Sequence, residues 1–404
     1  MSKPLSGVKV VELATFVAAP SCGRLLADLG AEVIKVESPK GDTWRGTGTR
    51  YVPGHFTADN NPVFDIYNAG KHFVALNLKD EQGKEAMMKL LEDADVFLTN
   101  TRPAALKRLG LSYEDIQSRC PKIIYASLLG YGEKGPDAAK PAFDSVAFWS
   151  RSGFLYDQQI KSDNFAPINP PFGMGDTVSG YLLLAEICAA LYRRKETGEG
   201  DVVNSSLFHN GLFVTGTMSI INQKPFGRNY PVTRVGHGVP GGMYRCSDDN
   251  WVYVGTSSNN VLIPLICKAI GRPELFEDPA YFRPDCTIVD ANKVYEAFRD
   301  AFLTKPSNFW LQQAEILDFP MMLVNRYSTV QEDEQAWAND YLERVTSPSG
   351  EVNVMPSSPI EMRSVGKLET IPAAQIGADT RRVLADLGYS EAQIEAMLEA
   401  GAAK

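Results

Sequence analysis

One carboxylate is placed to do chemistry. In "PFGMGDTVSGYLLLAEICAALYRR", residues 171–194, Asp176 follows a Gly-Met-Gly approach and opens an apolar helix. A carboxylate with its ordinary pKa near ~4 is ionised at neutral pH and needs no base before attacking an acyl carbon. Glycines at 173 and 175 take side chains out of the immediate approach, as a bulky electrophile would require. The same pattern has a second reading, in which an aspartate before a helix caps its first turn. The two conflict in part, because a carboxylate bonded to helix N–H groups is a weaker nucleophile. A catalytic Asp176 is therefore expected to point away from those groups, toward a loop at Gly241 and Gly242. The backbone N–H groups of that loop are candidate oxyanion donors, or else a tight turn before "MYRCS".

Other catalytic chemistries lack residues. No two of the four histidines (55, 72, 209 and 237) stand at metal-ligand spacing, so no metal site and no His-based triad is expected. There is no G-x-S-x-G elbow and no Walker P-loop.

The elements around Asp176 alternate. "VKVVEL" (8–13) reads as a strand, "SCGRLLADLG" (21–30) as a helix with Ser21 as N-cap, and "AEVIKVE" (31–37) as the next strand. "HFVALNL" (72–78), a helix over 81–94 capped by Asp80 and the strand "DVFLTN" (95–100) repeat the unit. A capping box at Ser112 and Asp115 precedes the strand "KIIYASLLG" (122–130), and "DVVNSSLF" (201–208) adds one more strand. This is α/β, a Rossmann-like parallel sheet. Glu37 sits where a ribose-binding acid would. The first strand–helix turn, "ATFVAAP", however, has no glycine, which speaks against a nicotinamide dinucleotide.

From residue 226 the texture changes to the Gly-rich "GHGVPGGMYRCSDDNWVYVGT", with a hairpin turn at Asp248–Asn250 and helices near 259–270 and 292–304. The expected organisation is a large domain of residues 1–205 and 345–404, from both chain ends, with a smaller α+β domain at 226–325. Linkers are expected at 206–225 and 326–344. The C-terminal stretch holds two helices, the second with a capping box at Ser390 and Gln393.

At 404 residues the chain is long for one core. A formal charge of −9 argues against nucleic acid as a partner, while leaving room for an anionic small ligand beside local cations. Six cysteines without a C-x-x-C pair read as reduced thiols. The N-terminal stretch has no apolar core of a secretory signal, and "YLLLAEICAAL" carries Glu186, as a core helix does. The expectation is a cytoplasmic protein without a membrane partner.

"GMGDTVSGYLLLAEICAALYRRKETGEGDVVNSSL" resembles the central signature of the family III CoA-transferases. So do "VVELATFVAAPSCGRLLADLGAEVIKVESPKGD", "LNLKDEQGKE", "NTRPAALKRLGLSYEDI", "GYGEKGPDAAKPAFDSVA" and "GADTRRVLADLGY", in the same order over nearly the whole chain. The resemblance implies that Asp176 is the nucleophile, passing through an acyl anhydride and an aspartyl-CoA thioester. It implies that coenzyme A is co-substrate, that no metal takes part, and that the chain forms an interlocked homodimer. Lys79 and Arg108 would hold coenzyme A, with Val17, Ala18, Leu76 and Asn100 lining the site and Lys40 beside it. Asp144 matches an acidic position near the nucleophile, its other reading being a turn or cap.

The formyl-CoA branch has glutamine where this chain has Val17 and lysine where it has Pro141, which disfavours oxalate and formate. "GYGEKGPD" and "DEQAWANDYL" look most like the branch from amino-acid-fermenting anaerobes, which handles 2-hydroxy acids such as phenyllactate or 2-hydroxyisocaproate. Phe148, Trp149, Phe154, Phe172 and Met174 are candidates for an apolar acyl pocket, or plain core. Other readings are a transferase for carnitine-like or other acids, an acyl-CoA racemase with a His/Asp pair, and a non-catalytic CoA-binding protein.

Overall fold

The computed structural model describes residues 3–157, 170–226, 241–255, 259–285 and 287–404. These fall into two compact units, one of residues 3–155, 170–226 and 334–404, the other of 156–157 and 241–333.

The first unit is built on six parallel strands in the order β3-β2-β1-β4-β5-β6. They are β1 (Lys9–Leu13), β2 (Glu32–Glu37), β3 (His72–Ala75), β4 (Val96–Thr99), β5 (Ile124–Leu129) and β6 (Asp201–Ser206). β1 pairs on one side with β2, Val11 opposite Ile34, and on the other with β4, Val11 opposite Phe97. The strand order reverses between β1 and β4, and ligands of open α/β sheets bind outside the carboxyl ends of the strands at such a point. β3, β4 and β5 are apolar and almost wholly buried because helices cover both faces.

Five helices matter for the site: α1 (Ala18–Asp28), α2 (Pro62–Asn68), α3 (Glu81–Glu92), α4 (Pro103–Leu109) and α5 (Met174–Thr197). α1 begins three residues earlier than its sequence suggests. Val17 stands at its N-cap without a side-chain bond, and Ser21 lies inside, donating to the Ala18 carbonyl at 2.8 Å. Ser21 is small and buried because Gly180 of α5 rests on it, and a Cβ at Gly180 would collide with Ser21 Oγ and the Ala18 carbonyl. α5 is long and apolar enough by length and composition to cross a bilayer, yet Leu183, Ile187 and Ala190 are core residues packed with α1 and the sheet.

Asp80 caps α3 through Gln82 N–H and Gly83 N–H, and both capping boxes form. The chain end closes the sheet edge. Leu76 bridges to Ala403, Asn77 N–H donates to the Ala402 carbonyl at 2.8 Å, and Lys404 N–H to Ala75 at 3.1 Å. The stretch 206–225, read from sequence as a linker, instead carries two helices of the first unit, Leu207–Val214 and Gly216–Ile221. Ser206 starts the first by accepting from His209 N–H.

The second unit holds an antiparallel sheet of β7 (Gly242–Arg245), β8 (Trp251–Val254) and β9 (Met321–Leu323), the first two joined by a turn that contains Asp249 at φ 63°. Helices Asn259–Ala269, Ala291–Phe302 and Ser307–Leu317 supply its core with Phe298, Phe302 and Trp310 around Tyr244.

Candidate active site

Asp176 does not cap its helix. The N-cap of α5 is Gly173, in the left-handed region at φ 71°, which places Asp176 at the third helical position. Gly175 is not an open approach either. A Cβ there would lie 2.7 Å from the Phe148 ring, so the space is filled by Phe148 from the π-helical turn Ser145–Ser150. That turn starts at Asp144, and its arrival against α5 brings the two carboxylates together.

The Asp144 carboxylate faces the backbone N–H groups of Ser145, Gly175 and Asp176 and the indole N–H of Trp149, all of which favour its ionised form. Burial outweighs them and leaves its pKa above the usual carboxylate range. The alignment is loose, since Asp144 Oδ2 and Trp149 Nε1 have no partner within hydrogen-bond geometry. The first-turn donors of α5 are thus turned toward Asp144, and among the described residues the Asp176 carboxylate accepts no hydrogen bond.

Asp176 is only 9 % exposed. Burial first, and the neighbouring Asp144 charge second, push its pKa up to about 8. This corrects the expectation of an ordinary carboxylate ionised throughout the neutral range. Such a group pays desolvation in its charged form and is correspondingly reactive once ionised. Tyr67 stands beside it with its hydroxyl near Gly173, whose carbonyl accepts from Thr177 Oγ1 at 2.8 Å. Ser179, one turn on, is fully buried with an unpartnered hydroxyl. Asp144 is the one charge that acts on Asp176 among the described residues. His72 faces Asp379 at 3.2 Å, and His237 lies outside the described residues.

The other expected site residues scatter. Asn100 lies at the strand-order reversal, where its amide clasps Thr15 on both sides, accepting from the N–H at 3.0 Å and donating to the carbonyl at 2.7 Å. Val17 and Leu76 do not line an open surface; both are 1 % exposed. Val17 packs with Trp44, Phe64 and Phe73, and Leu76 with the core under α3. Ala18 is buried on α1, whereas Lys40, Lys79 and Arg108 are exposed. Arg108 borders a cavity of about 420 Å³ lined also by Lys84, Lys107, Glu81 and Glu85. Gly241 and Gly242 belong to the second unit, where Gly242 opens β7 opposite Val254, and residues 227–240 before them lie outside the described residues.

Of the five residues suggested for an acyl pocket, Phe148 and Trp149 are core, and Phe154 packs on Trp149 at 4.7 Å. Met174 is exposed, and Phe172 borders a cavity of about 280 Å³. That cavity is aromatic in a way the sequence reading missed. Trp44 stacks on Phe172 with centroids 5.2 Å apart and planes at 11°, Tyr51 meets Phe172 edge-on at 5.8 Å, and Tyr67 lies 6.2 Å from Trp44. Val63, Ile66 and Met355 complete its wall. Also missed was a buried ion network of Glu12, Lys35, Asp42 and Lys71. Charged residues inside the apolar strands "VKVVEL" and "EVIKVE" were the available signal.

Comparison with known proteins supplies the context. Residues 5–380 match the sequence model of CoA-transferase family III. The chain is 37% identical to (R)-2-hydroxy-4-methylpentanoate CoA-transferase of Clostridioides difficile, covering 96% of this chain and 97% of that enzyme. It is 38% identical to cinnamoyl-CoA:phenyllactate CoA-transferase of Clostridium sporogenes, covering 96% and 95%. A crystal structure of a hypothetical protein from Mycobacterium tuberculosis superposes with a TM-score of 0.79 at 26% identity, over 95% of this chain and 99% of that one. A CAIB/BAIF family protein from Brucella suis shares the fold, with a TM-score of 0.80 at 24% identity over 96% and 100%.

Proposed function

The chain belongs to CoA-transferase family III and is an enzyme of that kind; from that premise we propose that it moves coenzyme A to and from a 2-hydroxy acid with an apolar side chain, using Asp176 as covalent nucleophile. The observation that carries this reading is the state of Asp176, buried, without hydrogen bonds among the described residues, and raised to about 8.

Ionised Asp176 attacks the thioester carbonyl of the donor, forming an aspartyl–acyl anhydride and releasing the CoA thiolate. The thiolate attacks the aspartyl carbonyl of the anhydride, which expels the donor acid and leaves an aspartyl-CoA thioester. The acceptor carboxylate attacks that thioester, giving a second anhydride and the thiolate again. The thiolate then takes the acceptor's acyl carbon and frees Asp176. The Asp144 carboxylate faces the first-turn N–H groups of α5, and its charge raises the basicity of Asp176.

Lys40, Lys79 and Arg108 supply cations for the coenzyme's phosphates. Val17, Ala18 and Leu76 meet it through backbone, since their side chains are buried, and Asn100 lies at the strand-order reversal that receives it. The aromatic cavity beside Tyr67 and Phe172 suits a branched or aromatic acid side chain, which agrees with the substrates named for the two clostridial relatives. A place in amino-acid fermentation goes with that substrate class.

The active form is a homodimer. Phe213, Val214 and Ile220 of the helices at 207–221 are 80%, 54% and 54% exposed, an apolar surface fit for a second copy. The buried free thiols of Cys22, Cys120, Cys246 and Cys267 suit a cytoplasmic location. Light scattering tests the dimer, a monomer mass contradicting it. Incubation with acyl-CoA alone, then hydroxylamine and peptide mass analysis, tests the nucleophile. A hydroxamate at Asp176 is expected, and a hydroxamate elsewhere or none overturns the assignment.

A further inference from the structure

The turn between β1 and α1, "ATFVAAP", contains a backbone outlier. Phe16 sits at φ 64°, left-handed, in a turn without glycine. A bulky residue adopts that conformation rarely, and it persists only where the surroundings over-determine it. Here they do. Four consecutive backbone groups are each bonded to a side chain from another part of the first unit. The Ala14 carbonyl accepts from Lys35 Nζ at 2.8 Å. Thr15 N–H and the Thr15 carbonyl are both taken by Asn100. Phe16 N–H donates to Asp42 Oδ1 at 3.3 Å, an oxygen that also accepts from Trp44 N–H at 2.9 Å.

The side chains that hold the turn are themselves held. Lys35 Nζ is 2.9 Å from Glu12 Oε1 and 3.1 Å from Asp42 Oδ2, all three side chains fully buried. Glu12 Oε2 lies 2.7 Å from Lys71 Nζ, which reaches the Pro20 carbonyl of α1 at 2.9 Å. The network therefore ties both ends of the turn to the sheet, at the strand-order reversal where an α/β fold receives its ligand.

We propose that Asn100 and Asp42 are positioning residues for coenzyme A, holding the β1–α1 turn, strained at Phe16, in the backbone shape that the coenzyme meets. The inference rests on the reading above that this turn lines the coenzyme site. It assigns to a side-chain clamp the work that glycines do in a dinucleotide-binding turn. Glycine reaches φ > 0 by residue type, whereas Phe16 is kept there by its partners.

Glycine at Phe16 is accordingly the discriminating substitution, because it removes the strain the clamp works against. Coenzyme A affinity is measured by calorimetry on the full chain for wild type, Asn100→Ala and Asp42→Ala, each with Phe16 and with Phe16→Gly. Asn100→Ala is included because it is neutral and half-buried, whereas loss of Asp42 exposes a buried cation to an unbalanced site. With Phe16 in place, each variant is expected to weaken coenzyme A about tenfold. In the Phe16→Gly background the loss shrinks to about threefold or less. An equal loss in both backgrounds, with wild-type binding intact, overturns the positioning role and leaves the coenzyme site standing. Failure of the wild type to bind coenzyme A overturns that site and this inference together.

Discussion

Glu12 and Asp176 are both buried carboxylates of the first unit, and they ionise in opposite directions. Burial alone would raise Glu12, but Lys35 and Lys71 lie against it and hold it below the usual carboxylate range. Among the described residues no cation acts on Asp176. Burial and the one charge that does act on it, the carboxylate of Asp144, take its pKa up to about 8. The two lysines of the network shift in opposite directions although Glu12 pulls both upward. Lys71 falls to about 8, chiefly through burial, while Lys35, between Glu12 and Asp42, is held above its ordinary value despite burial. Burial is common to both places, so it does not mark the reactive one. The absence of compensation among the described residues is what sets Asp176, the proposed nucleophile, apart. Balanced charges fix a backbone; an unbalanced carboxylate stores reactivity.

The largest effect expected from this contrast is at Asp176. Asp176→Asn should lower CoA transfer by about 10³-fold or more, read by steady-state kinetics. The same change should stabilise the protein. The folded pKa lies above the unfolded one, so the folded state binds more protons between about pH 4 and pH 8, and wild-type stability falls as pH rises through that window. Asparagine carries no such cost. The variant should therefore exceed wild type by about 2–4 kcal/mol at pH 8.5 and converge with it below pH 4 in urea unfolding. A variant less stable than wild type at pH 8.5 would break the comparison on its reactive side.

Lys35→Met breaks it on the balanced side. Glu12 and Asp42 lose their shared cation, and the expected destabilisation is about 3–5 kcal/mol by urea unfolding near neutral pH. A loss within experimental error would mean that the network does not hold the fold as the geometry implies.

Much of this frame is readable from residue order, and the reasons for the remainder are specific. The βαβ alternation, the Asp80 cap and the Ser112–Asp115 and Ser390–Gln393 boxes are local, encoded within a few residues. Asp176 is recognisable at the head of an apolar helix, but its freedom from that helix depends on Asp144, 32 positions earlier by sequence number, arriving over the first turn. Gly175 looks like an opening and is a packing site for Phe148, a fact only tertiary contact reveals. Ser21 has the residue type of a cap and the role of a small contact under Gly180. Phe16 carries no sign of its left-handed backbone, since that shape is imposed by Lys35, Asp42 and Asn100 from other elements.

Two smaller effects sharpen the contrast. Asp144→Asn removes the secondary cause of the raised Asp176 pKa and leaves burial, the larger one. The alkaline rise of the acylation rate should move to lower pH by about one pH unit, measured by stopped-flow thiolate release. Trp44→Ala opens the aromatic cavity without touching the charges. Discrimination between aromatic or branched acids and small ones should fall by about tenfold in kcat/KM, with the KM for acyl-CoA unchanged.

The central claim is that Asp176 is a nucleophile made reactive by uncompensated burial. The measurement that tests it most directly is single-turnover loading of the protein by acyl-CoA without acceptor, followed from pH 5 to pH 9 by release of CoA thiol. A first-order loading rate that climbs with pH and bends near 8 in wild type, and is lost in Asp176→Asn, is the predicted result. A rate that is flat across the range, or that survives in Asp176→Asn, would contradict the account.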